Sequence, residues 1–135
     1  MDATTLKEFA SSYTAAWCSQ EPGRVAAFFA ESGTLQINDG SPSVGRPAIA
    51  AAAQGFMTAF PDMVVTMDDI TPLDRDHAVY RWTLTGTNNG PGGSGNAVRI
   101  SGYEEWTLGS DKLIIESKGH FDEAEYQRQL QSRTI

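Results

Sequence analysis

AVRISGYEEWTL, residues 97–108, is the stretch of sequence that decides the fold. Its even-numbered positions are mainly apolar and its odd-numbered positions mainly polar, which is the two-residue period of a half-buried β-strand. Three further runs, at 62–73, 77–87 and 112–121, are rich in β-branched and aromatic residues and are separated by turn-forming residues. The second half of the chain therefore predicts about four long strands.

Glu104 interrupts the apolar face of this strand. The apolar residues of that face are Val98, Ile100, Gly102, Trp106 and Leu108. A carboxyl group among them loses hydration, so we expect its pKa to rise and the group to donate a hydrogen bond or a proton near neutral pH. Glu104 is therefore a candidate catalytic residue. Two structural alternatives stay open: a bulge at Gly102 that turns the side chain outward, or a pairing with Arg81 or Arg99.

The first half of the chain predicts helices instead. Within residues 3–20 four large apolar residues recur at spacings of three, four and four, which places them on one helix face. They are Leu6, Phe9, Tyr13 and Trp17. A second, shorter apolar stripe follows Pro22 and ends before Gly33, and a third helix stops at Pro61. The second stripe consists of Val25, Phe28 and Phe29, and the third of Ile49, Ala52, Ala53, Phe56 and Phe60.

Between the second and third helices, TLQIN at 34–38 is a brief strand candidate, and residues 38–47 are rich in turn-forming residues. Helices that precede a run of strands predict an α+β fold rather than a parallel α/β fold. The glycine-rich segment 88–96, NNGPGGSGN, favours a long flexible hairpin loop over a mobile lid. It lacks the pattern of a phosphate-binding loop or of a serine hydrolase elbow.

Composition and charge narrow the function classes. The 135 residues are 40% apolar and 20% charged, which predicts one globular domain over 1–135 and no membrane span. The amino terminus lacks a secretory leader and Cys18 has no second cysteine to pair with, so we expect a soluble, cytoplasmic protein. A net charge of −7 with dispersed basic residues argues against nucleic acid. Two histidines and one cysteine form no recognised metal-ligand spacing.

The segment 114–130, IIESKGHFDEAEYQRQL, runs from a strand into a helix, with a histidine and an aspartate at the junction. Asp122 and Glu125 form the Asp-x-x-Glu pattern of a capping box, so Asp122 could serve only to begin the helix. A charged carboxylate held in this way would also suit a general base. Alternation puts His120 and Asp122 on one side of the strand unless it bends, and the opposite side carries Leu113, Ile115, Ser117, Gly119 and Phe121. The sequence leaves both interpretations open.

The order of these segments resembles one known family. Helices come first, then AFPDM at 59–63, TLTGTNNG at 83–90, SGYEEWTL at 101–108 and, after a last strand, FDEAEYQRQL at 121–130. Over nearly the whole chain the pattern resembles the SnoaL-like branch of the nuclear-transport-factor-2-like superfamily. The resemblance implies a cone-shaped, curved mixed β-sheet wrapped over three N-terminal helices, an enclosed apolar cavity, and a homodimer formed through the sheet face.

By this resemblance, the sequence has some of the superfamily's site residues and lacks others. Tyr13 occupies the place of the ketosteroid isomerases' oxyanion tyrosine and Glu104 that of their protonated aspartate, whereas their general base corresponds to about Ile37, which cannot take a proton. The epoxide hydrolases' Arg-x-Asp falls on Arg81-Trp82-Thr83, where the carboxylate is missing. The polyketide cyclases' acid/base aspartate matches Asp122 by spacing. Cyclase-type chemistry is therefore the activity that this sequence retains best.

We therefore expect a cofactor-free enzyme that moves a proton next to a carbonyl of a small polyketide-like, steroid-like or similar apolar substrate, by aldol cyclisation or isomerisation. Glu104 and Tyr13 would hold the carbonyl oxygen, and Asp122 or His120 would remove the α-proton. Aromatic side chains would form the substrate site: Trp17, Phe56, Phe60, Tyr80, Trp82, Trp106 and Phe121. The alternative is a non-catalytic binding or dimeric interaction domain of the same fold, indicated if Glu104 alone faced the cavity and Asp122 capped a helix outside it.

Overall fold

The computed structural model describes residues 2–131, and within them it contains four helices and six strands. The helices are α1 (Ala3–Trp17), α2 (Pro22–Ala26), α3 (Arg46–Ala59) and α4 (Glu123–Gln131). The strands are β1 (Phe29–Ile37), β2 (Ser43–Val44), β3 (Val64–Pro72), β4 (His77–Thr87), β5 (Ala97–Leu108) and β6 (Ile114–Phe121). The predicted α+β class is confirmed.

The strands form one curved, mixed sheet in the order β2-β1-β6-β5-β4-β3. β1 and β6 run parallel, and the other neighbours are antiparallel. The pairing of β4 with β5 has no register shift, so Tyr80 lies opposite Glu104 and Trp82 lies opposite Gly102. The bulge at Gly102 that would have turned Glu104 outward is therefore absent from this pair of strands.

Two expectations about side-chain placement are wrong. Phe29 does not continue the second helical stripe; it opens β1, because α2 already ends at Ala26. The alternation of β6 predicts Ile115 on the inner face, yet Ile114 is fully buried and Ile115 is exposed. A register shift between Thr107 and Leu108, where β5 meets β6, causes the second difference, because one extra residue reverses the alternation beyond it.

The helices cover the inner face of the sheet. α1 packs against β3 and α2, and α3 packs against α2 and β1. The buried residues of α1 follow the predicted stripe with one exception, since Phe9 is only partly buried. The Asp2 side chain begins α1 by accepting a hydrogen bond from the Thr5 N–H at 2.8 Å. Among the helices of residues 2–131, none is long and apolar enough to cross a bilayer.

Several residues of the family-like segments act as structural clamps. Asp62 accepts hydrogen bonds from the Thr87 N–H at 2.7 Å and from the Thr87 hydroxyl at 2.8 Å, which ties the end of α3 to the end of β4. The Gln129 amide group accepts from the Arg99 N–H at 2.7 Å and donates to the Arg99 carbonyl at 2.9 Å. This amide pairs with β5 as another strand would, and it holds α4 on the sheet.

The glycine-rich segment 88–96 forms the predicted hairpin loop between β4 and β5. It is closed by a hydrogen bond from the Asn88 N–H to the Asn96 carbonyl, at 2.9 Å. A second bond, from the Gly90 N–H to the Ala59 carbonyl at 3.2 Å, attaches the loop to the end of α3.

Candidate functional site

An apolar cavity of about 60 Å³ lies between the sheet and the helices. Six aromatic side chains contribute to its wall: Trp17, Phe56, Tyr80, Trp82, Phe121 and Tyr126. Aliphatic residues of β1, β3, β4 and β5 complete the apolar surface, and Ile37 is one of them. Glu104 is the one carboxyl residue of the lining. The cavity therefore presents a single acid in otherwise oily surroundings.

Glu104 is held by donors from three separate elements. Its Oε1 atom accepts hydrogen bonds from the Tyr13 hydroxyl of α1 at 2.9 Å, the Trp106 indole N–H of β5 at 3.0 Å and the Ser117 hydroxyl of β6 at 2.7 Å. The side chain is almost completely buried, with 7% of its surface exposed. Neither of the two arginines considered from the sequence forms an ion pair with it. The carboxyl group is thus fixed by neutral donors.

The two carboxyl oxygens have different surroundings. All three donors bind Oε1, whereas no donor from residues 2–131 binds Oε2, and Oε2 is not among the fully enclosed atoms that lack a partner. Burial raises the pKa of Glu104 above its ordinary value, against the opposing effect of the three hydrogen bonds. When Glu104 is neutral, the proton belongs on Oε2, because Oε1 is already saturated. The acid proton then lies on the oxygen that has no protein partner, in a side chain that lines the cavity.

The Tyr13 hydroxyl binds Glu104 and is not part of the cavity wall. Its side chain is completely buried, and it does not contribute to the cavity wall. Burial raises the pKa of the Tyr13 phenol, and the neighbouring Glu104 charge raises it further, so the phenol keeps its proton and remains a donor. The expectation that Tyr13 would hold the substrate's carbonyl directly is therefore corrected: its hydroxyl positions the carboxyl group.

Tyr80 lines the cavity, but its hydroxyl proton is used in a hydrogen bond to Thr14. Its hydroxyl is hydrogen-bonded to the Thr14 hydroxyl, which donates its own proton to the Ala10 carbonyl at 2.8 Å. Tyr80 must consequently be the donor of the pair. Its ring stacks on Trp106 at 4.9 Å between centroids. Tyr80 therefore contributes an apolar surface and a phenol oxygen that can accept.

The structure does not bring Asp122 and His120 to Glu104. Asp122 is exposed and accepts a hydrogen bond from the Glu125 N–H at 3.0 Å, so the capping interpretation is confirmed. His120 lies on the outer face of the sheet, where its Nε2 atom is 2.7 Å from Glu105 Oε1 and its ring stacks on Tyr103. Both residues border a surface groove outside the cavity. Strand alternation puts His120 on the outer face, and Asp122 lies between the end of β6 and the start of α4.

The predicted aromatic wall is reproduced in part. Five of the seven residues line the cavity: Trp17, Phe56, Tyr80, Trp82 and Phe121. Phe60 and Trp106 do not, because Phe60 is packed beneath Tyr126 and the Trp106 indole is turned to Glu104. Their assignment to the substrate site is corrected accordingly. That the other five contact a ligand stays a prediction.

Three residues of the site were not predicted from the sequence. Ser117 is fully buried and supplies the shortest hydrogen bond to Glu104. Gly119 lies opposite Glu104 in the sheet, where the absence of a side chain leaves room beside the carboxyl group. Tyr126 of α4 closes one side of the cavity. Ser117 had a detectable signal, since a polar residue at an inward position of a strand calls for a buried partner.

Comparison with known proteins identifies the family. Residues 7–130 match the model of a family described as SnoaL-like polyketide cyclase. The chain belongs to this family. Among curated proteins no significant match is found. Within residues 2–131, this SnoaL-like protein has no group of three or more His, Cys, Asp or Glu residues that could hold a metal ion.

Solved structures share the fold at low sequence identity. A putative SnoaL-like polyketide cyclase from Jannaschia sp. CCS1 aligns with a TM-score of 0.78 and 18% identity, covering 99% of both chains. TsrD from Streptomyces laurentii aligns with a TM-score of 0.83 and 20% identity, covering 98% of this chain and 99% of its own. A Catenulispora acidiphila protein with a ketosteroid isomerase-like fold, solved in complex with trimethylamine, aligns with a TM-score of 0.80 and 17% identity. The alignment covers 91% of this chain and 92% of its own. These similarities establish the fold alone.

The raised pKa of Glu104 predicts a pH-dependent stability. A carboxyl group whose folded-state pKa exceeds its ordinary value of 4.5 stabilises the fold fully below about pH 4.5. That contribution is lost as the pH rises through the folded-state pKa. We expect the free energy of unfolding of the wild type, minus that of Glu104→Gln, to fall by up to about 1.4 kcal/mol per pH unit in that window. Urea unfolding of both proteins between pH 4 and 8 measures the difference, and parallel curves would contradict it.

Proposed function

We propose that this SnoaL-like protein binds a small, largely apolar molecule that carries an acceptor oxygen, and that it promotes proton transfer next to a carbonyl without a cofactor. The observation that carries the proposal is the geometry of Glu104, which lines the apolar cavity and has one oxygen saturated by three donors and the other without a donor. In its neutral form the carboxyl group donates from Oε2 to the substrate's oxygen. This donation stabilises the negative charge that develops there on enolisation.

One carboxyl group has to supply both acid and base in this scheme, because Asp122 and His120 lie outside the cavity. Glu104 gives its proton to the carbonyl oxygen as the enol forms, and the resulting carboxylate accepts a proton from the adjacent carbon within the same site. The protons balance over the exchange, and no external oxidant or reductant is needed. The family membership supports chemistry of this cyclase or isomerase type.

The size of the cavity limits the substrate. An apolar cavity of roughly 150 Å³ binds benzene, whereas this one measures about 60 Å³. A six-membered ring can therefore enter only if side chains of the wall move. Phe56, Phe121 and Tyr126 are suited to this movement because they are only partly buried. Small cyclic ketones are accordingly the first probes to use.

The experiment uses cyclohexanone as the probe. In D₂O its α-protons exchange for deuterium through the enol, and proton NMR follows the loss of the α-proton signal. We expect the protein to accelerate this exchange about 10²-fold or more over buffer, as positioned acid–base groups do. Binding detected by saturation-transfer NMR, without accelerated exchange at any pH between 4 and 8, would overturn the catalytic part of the proposal.

The second candidate function is ligand binding without catalysis. The structure meets the condition stated for it in the sequence analysis, because Glu104 is the one carboxyl residue of the cavity wall and the capping bond holds Asp122 outside. In that case Glu104 would serve only to recognise an acceptor oxygen. The cyclohexanone experiment separates the two functions, since both predict binding and only the first predicts exchange.

We also propose that two copies of the chain pair through the outer face of the sheet. Tyr103 on this face stacks on His120 at 4.7 Å and lies beneath the Arg81 guanidinium at 5.5 Å. Such a cluster is a suitable surface for a partner, because aromatic and arginine side chains are enriched at protein interfaces.

A further inference from the structure

On the inner face of the sheet, aromatic rings occupy three of the four positions next to Glu104. Tyr80 lies opposite Glu104 on β4, and Trp106 follows it at the second position along β5. Gly102 precedes it at the second position, and there the Trp82 indole takes the space, because a Cβ atom at Gly102 would lie 2.6 Å from Trp82 Cζ2. The fourth position, on β6, is the side from which a ligand can reach this carboxyl group.

Gly119 of β6 occupies the fourth position. It lies opposite Glu104, it is buried, and it lines the cavity. Ile37 lies opposite it on β1, and Ser117 and Phe121 precede and follow it at the second positions along β6. The space above its main chain, the Gly119 opening, is therefore about one side chain wide, between Glu104 and Ile37.

The fold itself does not require glycine at position 119. The backbone φ of Gly119 is not positive, and β6 keeps its register with both neighbouring strands there. A Cβ atom would lie 3.4 Å from the Gln36 carbonyl oxygen and 3.8 Å from Glu104 Cγ, which are ordinary contact distances. Glycine weakens a strand, and it often marks a bulge, a bend or the close approach of a ligand. Because β6 continues through Gly119 without a bulge, its place in the cavity wall favours the approach of a ligand.

We propose that Gly119 is a specificity-determining residue, and that the Gly119 opening receives the carbonyl group of the ligand together with an unbranched carbon next to it. This inference rests on the proposed function, in which Glu104 donates to the carbonyl oxygen and takes a proton from the adjacent carbon. Both atoms must then lie within hydrogen-bond reach of one carboxyl group, and the Gly119 opening is the space beside it. A CH₂ group next to the carbonyl fits this width, whereas a carbon that carries a methyl group does not.

The first test replaces Gly119 by alanine. We expect the thermal stability of the wild type, because the added methyl group makes only ordinary contacts. The affinity for cyclohexanone, from titrations followed by saturation-transfer NMR, is expected to fall about tenfold or more, since the methyl group takes the place of the ligand. Gly55→Ala is the matched control, because Gly55 is exposed on α3 and a Cβ atom there would meet nothing within 4 Å. A folded Gly119→Ala protein that binds cyclohexanone as the wild type does would overturn the inference.

A second measurement uses the wild type alone. The probe is 2,6-dimethylcyclohexanone, which carries a methyl group on each carbon next to the carbonyl. Added methyl groups ordinarily strengthen binding to an apolar cavity, but we expect the dimethyl ketone to bind about tenfold or more weakly than cyclohexanone. Equal or tighter binding of the dimethyl ketone would overturn the inference and leave the proposed function standing. A wild type that does not bind cyclohexanone would remove the proposed function, and this inference with it.

Discussion

Replacing Glu104 by glutamine is expected to reduce the accelerated exchange of cyclohexanone by about 10²-fold or more, while the protein still binds the ketone. Glutamine keeps the shape of the side chain, and its carbonyl oxygen can accept the hydrogen bonds of Tyr13, Trp106 and Ser117. Its amide nitrogen then takes the place of Oε2 and can still donate to a ligand. It cannot release a proton near neutral pH, so catalysis is lost and recognition remains.

A matched control lies one position further along the strand. Glu105→Gln makes the same change on the outer face, where the side chain is exposed and approaches His120 at 2.7 Å. We expect this variant to exchange the α-protons at the wild-type rate. Equal losses in the two variants would point to a general effect of charge, and an unaffected Glu104→Gln would remove Glu104 from the chemistry.

Replacing Glu104 by methionine is expected to destabilise the protein by about 3 kcal/mol or more. Methionine has a similar unbranched shape, but its sulfur is only a weak acceptor. The Tyr13 hydroxyl, the Trp106 N–H and the Ser117 hydroxyl would all lose their partner in the core, at about 1–3 kcal/mol each. Part of this loss is offset, since a buried carboxyl group no longer has to be desolvated. Urea unfolding measures the difference.

Two further variants serve as controls for this prediction. Glu104→Gln keeps an acceptor for all three donors, so at neutral pH we expect it to stay within about 1 kcal/mol of the wild type. Adding Ser117→Ala to Glu104→Met removes one stranded donor, so the double variant is expected to be less destabilised than the sum of the single changes. A Glu104→Met protein as stable as the wild type would mean that the three hydrogen bonds contribute little to the fold.

The segments that identify the family are largely structural. Asp62 and Thr87 join the end of α3 to β4, and Gln129 pairs with the main chain of Arg99 to hold α4. These bonds form the frame around the cavity and touch none of its lining. The resemblance therefore predicts the fold well, whereas its match for the acid/base aspartate falls outside the cavity. Asp122 illustrates the point, because its spacing fits an acid/base residue while its carboxylate caps a helix.

The sequence by itself determined those features that depend on local periodicity. The alternation of 97–108 put Glu104 on the buried face, and the Asp-x-x-Glu pattern placed the start of α4 at Asp122. Both depend on backbone geometry over a few residues, which is regular enough to read directly. The same alternation failed in β6, because a register shift between two strands is set by their pairing and not by either strand alone.

Only the tertiary structure decided what surrounds Glu104. Tyr13 is 91 positions from Glu104 in the sequence and Ser117 is 13 positions from it. The hydroxyl groups of both residues nevertheless bind the same carboxyl oxygen of Glu104. The size of the cavity and the free Oε2 atom likewise result from packing between α1, β4, β5 and β6. No local pattern encodes such a meeting point, because it depends on the curvature of the sheet and on where each helix rests against it.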